Sequence, residues 1–592
     1  MCGICGWLAA PGQRPNLGAI RRMMDRLDRR GPDHEGSFSD GPMALGHRRL
    51  SILDLSFHGA QPMIDREHGL ALAFNGTIYN HPELRQELRA LGHRFESTGD
   101  TEVILKAYAQ WGKDCVTHLT GMFAFALWDL KTGALFLARD RLGIKPLYYT
   151  EDPSDPRAPL RFASSLPALL AGGGVNTEFD PIALHHQFTL HGSVPAPHTI
   201  LQGVRKLEPG SSLHIDASGR RQLQRYWQID ATERRDLDAN QWQEKIHAGL
   251  LKAVKRRLDI SDVPVGVLLS GGLDSSLIVA LAHEAGITPQ TFTIGFEDQP
   301  EEKGSEFEFS DPVAARYRTQ HHRFHIPNNQ VLERLPEAIA QMSEPMFAQD
   351  AVAFYLLSEQ VSKEVKVVLS GQGADEVFGG YFWYPQMAAA QGSDIERFAP
   401  FYFDRDHEEF LRMVTAPFRG DDHTSARITH EFSMIRGKNY INRVLGLDTS
   451  TLIVDDPVKR VDNMTMAWGL EARVPFLDHE LVELAMQMPA QYKLDLEGKG
   501  ILKRIARGRV PDAVIDRPKG YFPVPALKYV RGPFFEFMRE ILSSPTAQAR
   551  GLFEPSYVNR LLLQPDQHFT RLQGAKLWHL AVFELWLQQN NL

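Results

Sequence analysis

Three short segments carry residues that do chemistry only in company. Cys2 follows Met1 and precedes Gly3. A small second residue permits removal of the initiator methionine, which would leave Cys2 with a free α-amine beside its thiol. An α-amine titrates near pH ~8. It can act as general base for its own side chain, with no separate histidine. The second segment is SGGLDSS, Ser270 to Ser276. Gly271 and Gly272 let the backbone approach a phosphate, and Ser275 and Ser276 open a helix whose N–H groups favour anions. No Gly-Lys-Ser/Thr follows, so this is not a Walker loop. Asp274 either shapes the loop or faces a magnesium ion, because a bare carboxylate repels phosphates. The third segment, SGQGADEVFGGY at 370–381, offers Asp375 and Glu376 for magnesium and pyrophosphate contacts, or as caps of the next helix.

Composition narrows what must position these segments. The 592 residues include 65 Lys plus Arg and 73 Asp plus Glu, a net charge of −8. At ~150 residues per domain the length predicts about four domains, merging to two or three if they are large α/β units. The acidic balance gives no footprint for nucleic acid or an anionic membrane. Three cysteines exclude a disulfide scaffold and cannot furnish a zinc site. His321, His322 and His325 read as an alternating strand rather than a metal cluster. Asp274, with its serines and glycines, breaks the apolar stretch Val263–Ala282, which reads as strand, loop and helix rather than a membrane span. No basic signal-peptide region opens the chain. The expectation is a soluble, cytoplasmic protein.

The first ~210 residues read as short strands (Met43–Leu45, Leu70–Phe74, Met122–Leu127, Leu135–Ala138) interrupted by helices at Leu17–Leu27 and Glu102–Trp111, an α+β layered domain. The second half alternates buried strands (Val263–Leu269, Thr291–Phe296, Val365–Leu369) with helices. That pattern predicts a doubly wound α/β domain with a helical C-terminal part. Polar, turn-rich text between 203 and 238 marks the boundary. The expected organisation is 1–212, a linker 213–238, and 239–592. Segment 391–422 reads as an irregular, mobile insertion.

The words MCGICG (1–6), RGPD (30–33), GHRRLSILD (46–54), FNGTIYN (74–80), STGDTEVIL (97–105) and ARDRLGIKPLYY (138–149) occur in that order. As a set they resemble the N-terminal-nucleophile glutaminase domain of the asparagine synthetase family, a class II glutamine amidotransferase with αββα layers. SGGLDSS resembles the loop of the ATP pyrophosphatases (PP-loop enzymes). VKRVDNMTMAWGLEARVPFLDHE (458–480) and GKGILKR (498–504) resemble the same family's synthetase domain. The resemblance implies that Cys2 attacks glutamine, with Asn75 and the Gly76 N–H as oxyanion hole. Arg49 and Asp100 would bind the glutamine α-carboxylate and α-ammonium. Leu269, Ser270, Gly271, Gly272, Asp274, Ser275, Ser276, Ile294 and Gly371 would line the ATP site, with Asp274 and Asp375 on Mg²⁺. Lys499 would neutralise the α-phosphate and leaving pyrophosphate. Cys5 reads as a small buried residue. The implied partners are glutamine, ATP and a carboxylate acceptor, with a homodimer as the implied assembly.

Departures from the family pattern bear on substrate. Thr77 stands where the family carries Glu, and Gln372 where it carries an acid beside the acceptor. The stretches 343–358 and 516–529 also differ. Together they resemble the subfamily that makes N-acetylglutaminylglutamine amide, with Gln372, Glu344 and Asp350 in the acceptor pocket. The alternative acceptor is L-aspartate. A β-lactam-forming relative would lack the working Cys2, and a non-catalytic paralogue would tend to lose the loop serines or Lys499. A glutaminase with a disabled second site stays open through Gln372.

Overall fold

The computed structural model describes residues 2–10, 12–152, 154–155, 158–301, 303–517 and 524–592. Its first half stacks two six-stranded antiparallel sheets face to face. Alternation along the strands explains the stacking. In Leu70–Ile78 and Gly121–Asp129, Ala71, Ala73, Ala124 and Ala126 join the layer between the sheets. Leu70, Leu72, Phe74, Phe123 and Phe125 point the other way and pack with Val103 and Ile104 of the helix Thr101–Trp111. Side chains on successive strand residues face opposite sides, so small residues admit the neighbouring sheet and large ones bury under helices. Leu17–Asp25 and Leu166–Gly172 cover the outer face of the other sheet. The result is the αββα sandwich that the resemblance implies.

Register sets the first site. Gly3–Leu8 pairs antiparallel with Met43–Arg49, Gly3 opposite Arg48. Cys2 therefore lies beside Arg49. The linker expected from 213 begins later. Ser211–Ile215 continues into an edge strand, Arg221–Arg225, paired with it residue for residue. That strand is mostly exposed and polar, so it carries no apolar pattern to read.

The second half holds a five-stranded parallel sheet in the order His321–Ile326, Thr291–Phe296, Val265–Leu268, Val367–Leu369, Glu471–Arg473. Strand order reverses on either side of Val265–Leu268. The carboxyl ends at such a switch point are where α/β sheets bind ligands, and both Gly-rich loops begin there. Segment 391–422 is not irregular. It forms helices Asp394–Tyr402 and His407–Met413, anchored by buried Phe398, Phe410 and Met413. Short length and the internal Pro400 hide their periodicity.

Buried charge joins the halves. Asp462 accepts from Arg30 Nη1 at 2.9 Å and Lys145 Nζ at 3.1 Å. Lys206 Nζ lies 3.0 Å from Glu344 Oε2 and 2.9 Å from Asp455 Oδ1, and Lys459 sits 3.3 Å from the same Glu344 oxygen. Removing one partner of a buried ion pair strands the others in low dielectric. Asp462→Ala should lower unfolding stability by about 3–5 kcal/mol, read from the urea midpoint. A midpoint unchanged from wild type would show that these contacts do not hold the halves together.

Candidate active sites

The first site is a small pocket between the ends of the two stacked sheets. Cys2, Arg49, Gly76, Thr77 and Asp100 line it. The backbone nitrogen of Cys2 donates to Asn75 Oδ1 at 3.0 Å. That orients the Asn75 amide and leaves Nδ2 buried without a partner among the described residues. An orphaned buried donor costs free energy unless a ligand meets it. Gly76 cannot be replaced, since a Cβ there would sit 2.1 Å from Met122 O. Burial raises the Cys2 thiol pKa, against the pull of the Leu50 N–H and Arg49.

Arg49 is buried and donates to the carbonyls of Ser56 (3.3 Å), Leu53 (3.2 Å) and Asp54 (2.5 Å). It makes no ion pair among the described residues. A guanidinium held only by carbonyls in a pocket is poised for a carboxylate. Gly59 gives it room, because a Cβ there would lie 2.1 Å from Arg49 Nη2. Burial pushes Asp100 up to about 6 despite the Ile78 N–H bond at 2.9 Å.

Among the lining residues that sequence reasoning did not name, Glu471 belongs to the other half. Thr77 Oγ1 donates to Glu471 Oε1 at 3.2 Å. Burial would raise this acid, but Arg473, 2.5 Å away, holds it down at about 2. The pocket thus contains a permanent negative charge where residue 77 supplies none. The EARVPFLD word contained it, but nothing local told which pocket it enters.

The second site lies at the switch point. Gly271 takes a left-handed φ of +78°, and a Cβ there would meet Ser310 N at 2.8 Å. Gly272 caps the helix Leu273–Glu284, with Ser275 and Ser276 buried in its first turn. Leu269 and Ile294 are buried in the core, and Leu269 O accepts from Thr293 Oγ1. A Cβ on Gly371 would sit 3.1 Å from Asp274 Cβ, so the two loops touch. Lys499 joins them: Nζ lies 2.6 Å from Asp274 Oδ2 and 2.8 Å from Asp375 Oδ1. Burial would lower its pKa, but the two carboxylates raise it above the ordinary lysine value. Lys499 has φ +55°, a left-handed strain paid for by its position between two loops.

A third cavity, about 280 Å³, opens beside this loop. Gln372 and Asp350 line it; Glu344 does not. Glu344 is wholly buried in the interdomain network, where Lys206, Lys459 and Tyr148 need its charge. Sequence reasoning also missed Arg460, Asp448, Asp456 and His191, which line the cavity. The run from 440 to 466 is helical, with wide π-type turns at Asp448–Leu452 and Val454–Val458. One side presents Asp456 and Arg460 to the cavity. The other sends Asp455, Lys459 and Asp462 into the interface. Of the divergent segment 516–529, residues 518–523 lie outside the described residues.

A family model described as "Asparagine synthase" matches residues 245–588, and one described as "Glutamine amidotransferase domain" matches 1–227. The chain is 32% identical to the Bacillus subtilis protein "Asparagine synthetase [glutamine-hydrolyzing] 3", over 99% of this chain and 98% of that one. The chain belongs to the asparagine synthase family. A second Bacillus subtilis relative, "Asparagine synthetase [glutamine-hydrolyzing] 1", is 31% identical over 99% of this chain and 96% of its own. The Penicillium rubens protein "Amidase chyE" is 26% identical over 94% and 93%. Family membership makes this chain a glutamine-hydrolysing, ATP-dependent ligase. The resemblance to the dipeptide-amide subfamily draws no support from these relatives. No helix among the described residues is long and apolar enough to cross a membrane.

The resemblance gives Asp100 the glutamine α-ammonium, a role that needs the ionised carboxylate. The KM for glutamine should therefore rise as pH falls through about 6, by roughly tenfold per pH unit. Asp100→Asn should be high and flat over that range. A wild-type KM that does not move between the two sides of the transition would remove Asp100 from glutamine binding.

Proposed function

We propose that the chain amidates a small carboxylate at its second site with ammonia released from glutamine at its first. The convergence of Asp274, Asp375 and Lys499 from three separate segments carries this reading. With Met1 removed, the Cys2 α-amine takes the thiol proton, and Sγ attacks the glutamine amide carbon. Asn75 Nδ2 and the Gly76 N–H meet the oxyanion, each donor worth about 3–4 kcal/mol. Loss of ammonia leaves a thioester, which water opens to glutamate. Arg49 holds the α-carboxylate, and Asp100 with Glu471 holds the α-ammonium.

At the second site the acceptor carboxylate attacks the α-phosphate of ATP and expels pyrophosphate. Ammonia then displaces AMP from the acyl-adenylate, giving the amide. Backbone at Gly271 and Gly272 cradles the phosphates, and Lys499 neutralises the charge that builds on the leaving group. Asp274 and Asp375 fit Mg²⁺, because two carboxylates already converge on one cation there. The ion would offset charge on the departing pyrophosphate.

L-aspartate is the acceptor that the names of the two Bacillus subtilis relatives favour. A second reading, N-acetylglutaminylglutamine, rests on the cavity. Its volume is about 280 Å³, its wall carries Tyr381, Trp383 and Tyr402, and Arg460 is already paired with Asp350 and Asp456. An aromatic wall and a committed arginine suit a longer, less charged acceptor. Pyrophosphate release should be followed with ATP, Mg²⁺ and glutamine against each acceptor. Asparagine as product supports the first reading. Release only with the dipeptide supports the second. Release with neither contradicts both.

A further inference from the structure

We propose that His191, held by Asp404, is a specificity-determining residue that donates to an oxygen of the acceptor in the cavity beside Gln372. The inference rests on the amidation reading above. It identifies the group that meets the acceptor away from the reacting carboxylate.

His191 lines this cavity, although it belongs to the connection after the helix Pro181–Thr189. Its backbone is left-handed, φ +54°, an uncommon conformation for a residue with a Cβ. Asp404 ties this connection down at two points. Its N–H donates to Thr189 O at 2.9 Å, and its Oδ2 accepts from His191 Nδ1 at 2.8 Å. The Asp404 side chain is fully buried. With Nδ1 committed, the ring can turn only Nε2 toward a ligand. Nε2 has no hydrogen-bond partner among the described residues, and 15% of the side chain remains accessible.

Charge favours a donor role. Burial would lower the His191 pKa, but the Asp404 carboxylate outweighs it and raises the ring to about 9. Asp456 adds to the rise, Arg460 opposes it, Asp350 faces it across the cavity, and neutral His579 lies behind Asp404. The ring is thus an imidazolium at neutral pH, with its Nε2–H free. Arg460, the neighbouring cation, is committed to Asp350 at 3.1 Å and Asp456 at 2.8 Å. A cavity walled by carboxylates repels an anionic acceptor unless a donor offsets them. The oxygen recognised is either the α-carboxylate of aspartate or an amide carbonyl of an acylated dipeptide.

The test measures equilibrium binding of L-aspartate and of N-acetylglutaminylglutamine to the full-length protein by calorimetry, without ATP. His191→Leu should raise the Kd of the true acceptor tenfold or more. His191→Gln, which keeps a neutral donor, should lose less. Wild-type affinity for N-acetylglutaminylglutamine should fall as pH rises through about 9, where the ring loses its proton, and the variants should be flat; for aspartate, whose α-ammonium also titrates there, the fall should be steeper in wild type than in the variants. Glutaminase activity of each variant should equal wild type, which shows that the chain folds. If aspartate is the ligand, the loss should be larger and steeper with pH than for a neutral carbonyl. Unchanged acceptor affinity in a wild type that releases pyrophosphate would overturn the proposal alone. A parallel fall in glutaminase activity would make His191 merely structural and also overturn it. A wild type that binds neither acceptor and releases no pyrophosphate would sink the amidation reading, and the proposal with it.

Discussion

Charge buried between the two halves is the constraint on which the rest depends. Arg30, Lys145 and Lys206 come from the glutaminase half, and Glu344, Asp455, Lys459 and Asp462 from the synthetase half. None of these can be left unpaired in an apolar interior without a cost of several kcal/mol. Each half is therefore complete only against the other. Exchanging such pairs for apolar side chains is often neutral or better for stability, so what the network adds is a fixed relative position.

That position lets one short strand serve both sites. Glu471 closes the pocket beside Cys2 and takes a hydrogen bond from Thr77. Arg473 in the same strand holds Glu471, and its carbonyl accepts from Ser370 N at 2.9 Å, where the second Gly-rich loop starts. The floor of the first site and the entry of the second are thus neighbours on the Glu471–Arg473 strand. Lys499 joins the two Gly-rich loops through Asp274 and Asp375. Charge held in place at a site in this way needs little reorganisation during a reaction.

Much of this was legible because the chemistry is written in local words. The SGGLDSS loop and the loop that carries Asp375 each follow a readable strand, and Cys2 immediately precedes one, so strand ends fix where they lie. The residues that escaped are those whose partners are remote. Glu344 looks like a pocket acid but is claimed by Lys206 and Lys459. Glu471 reads as part of the second half yet faces the first. His191 and Asp404 lie 213 residues apart. The strand Arg221–Arg225 is polar because it is an edge, and the helices at 394–413 are too short for their period to show. Periodicity reports burial against something, not against what.

In the amidation proposed above, ammonia made at Cys2 passes to the adenylate directly, because the two sites adjoin on the Glu471–Arg473 strand. Amide-¹⁵N glutamine should be turned over with ATP, the acceptor and an excess of unlabelled ammonium, and the amide product weighed by mass spectrometry. The account predicts that the product carries almost only ¹⁵N, whatever the ammonium concentration. Label that dilutes in proportion to added ammonium would contradict it, and would mean that the two sites share a chain but not a passage.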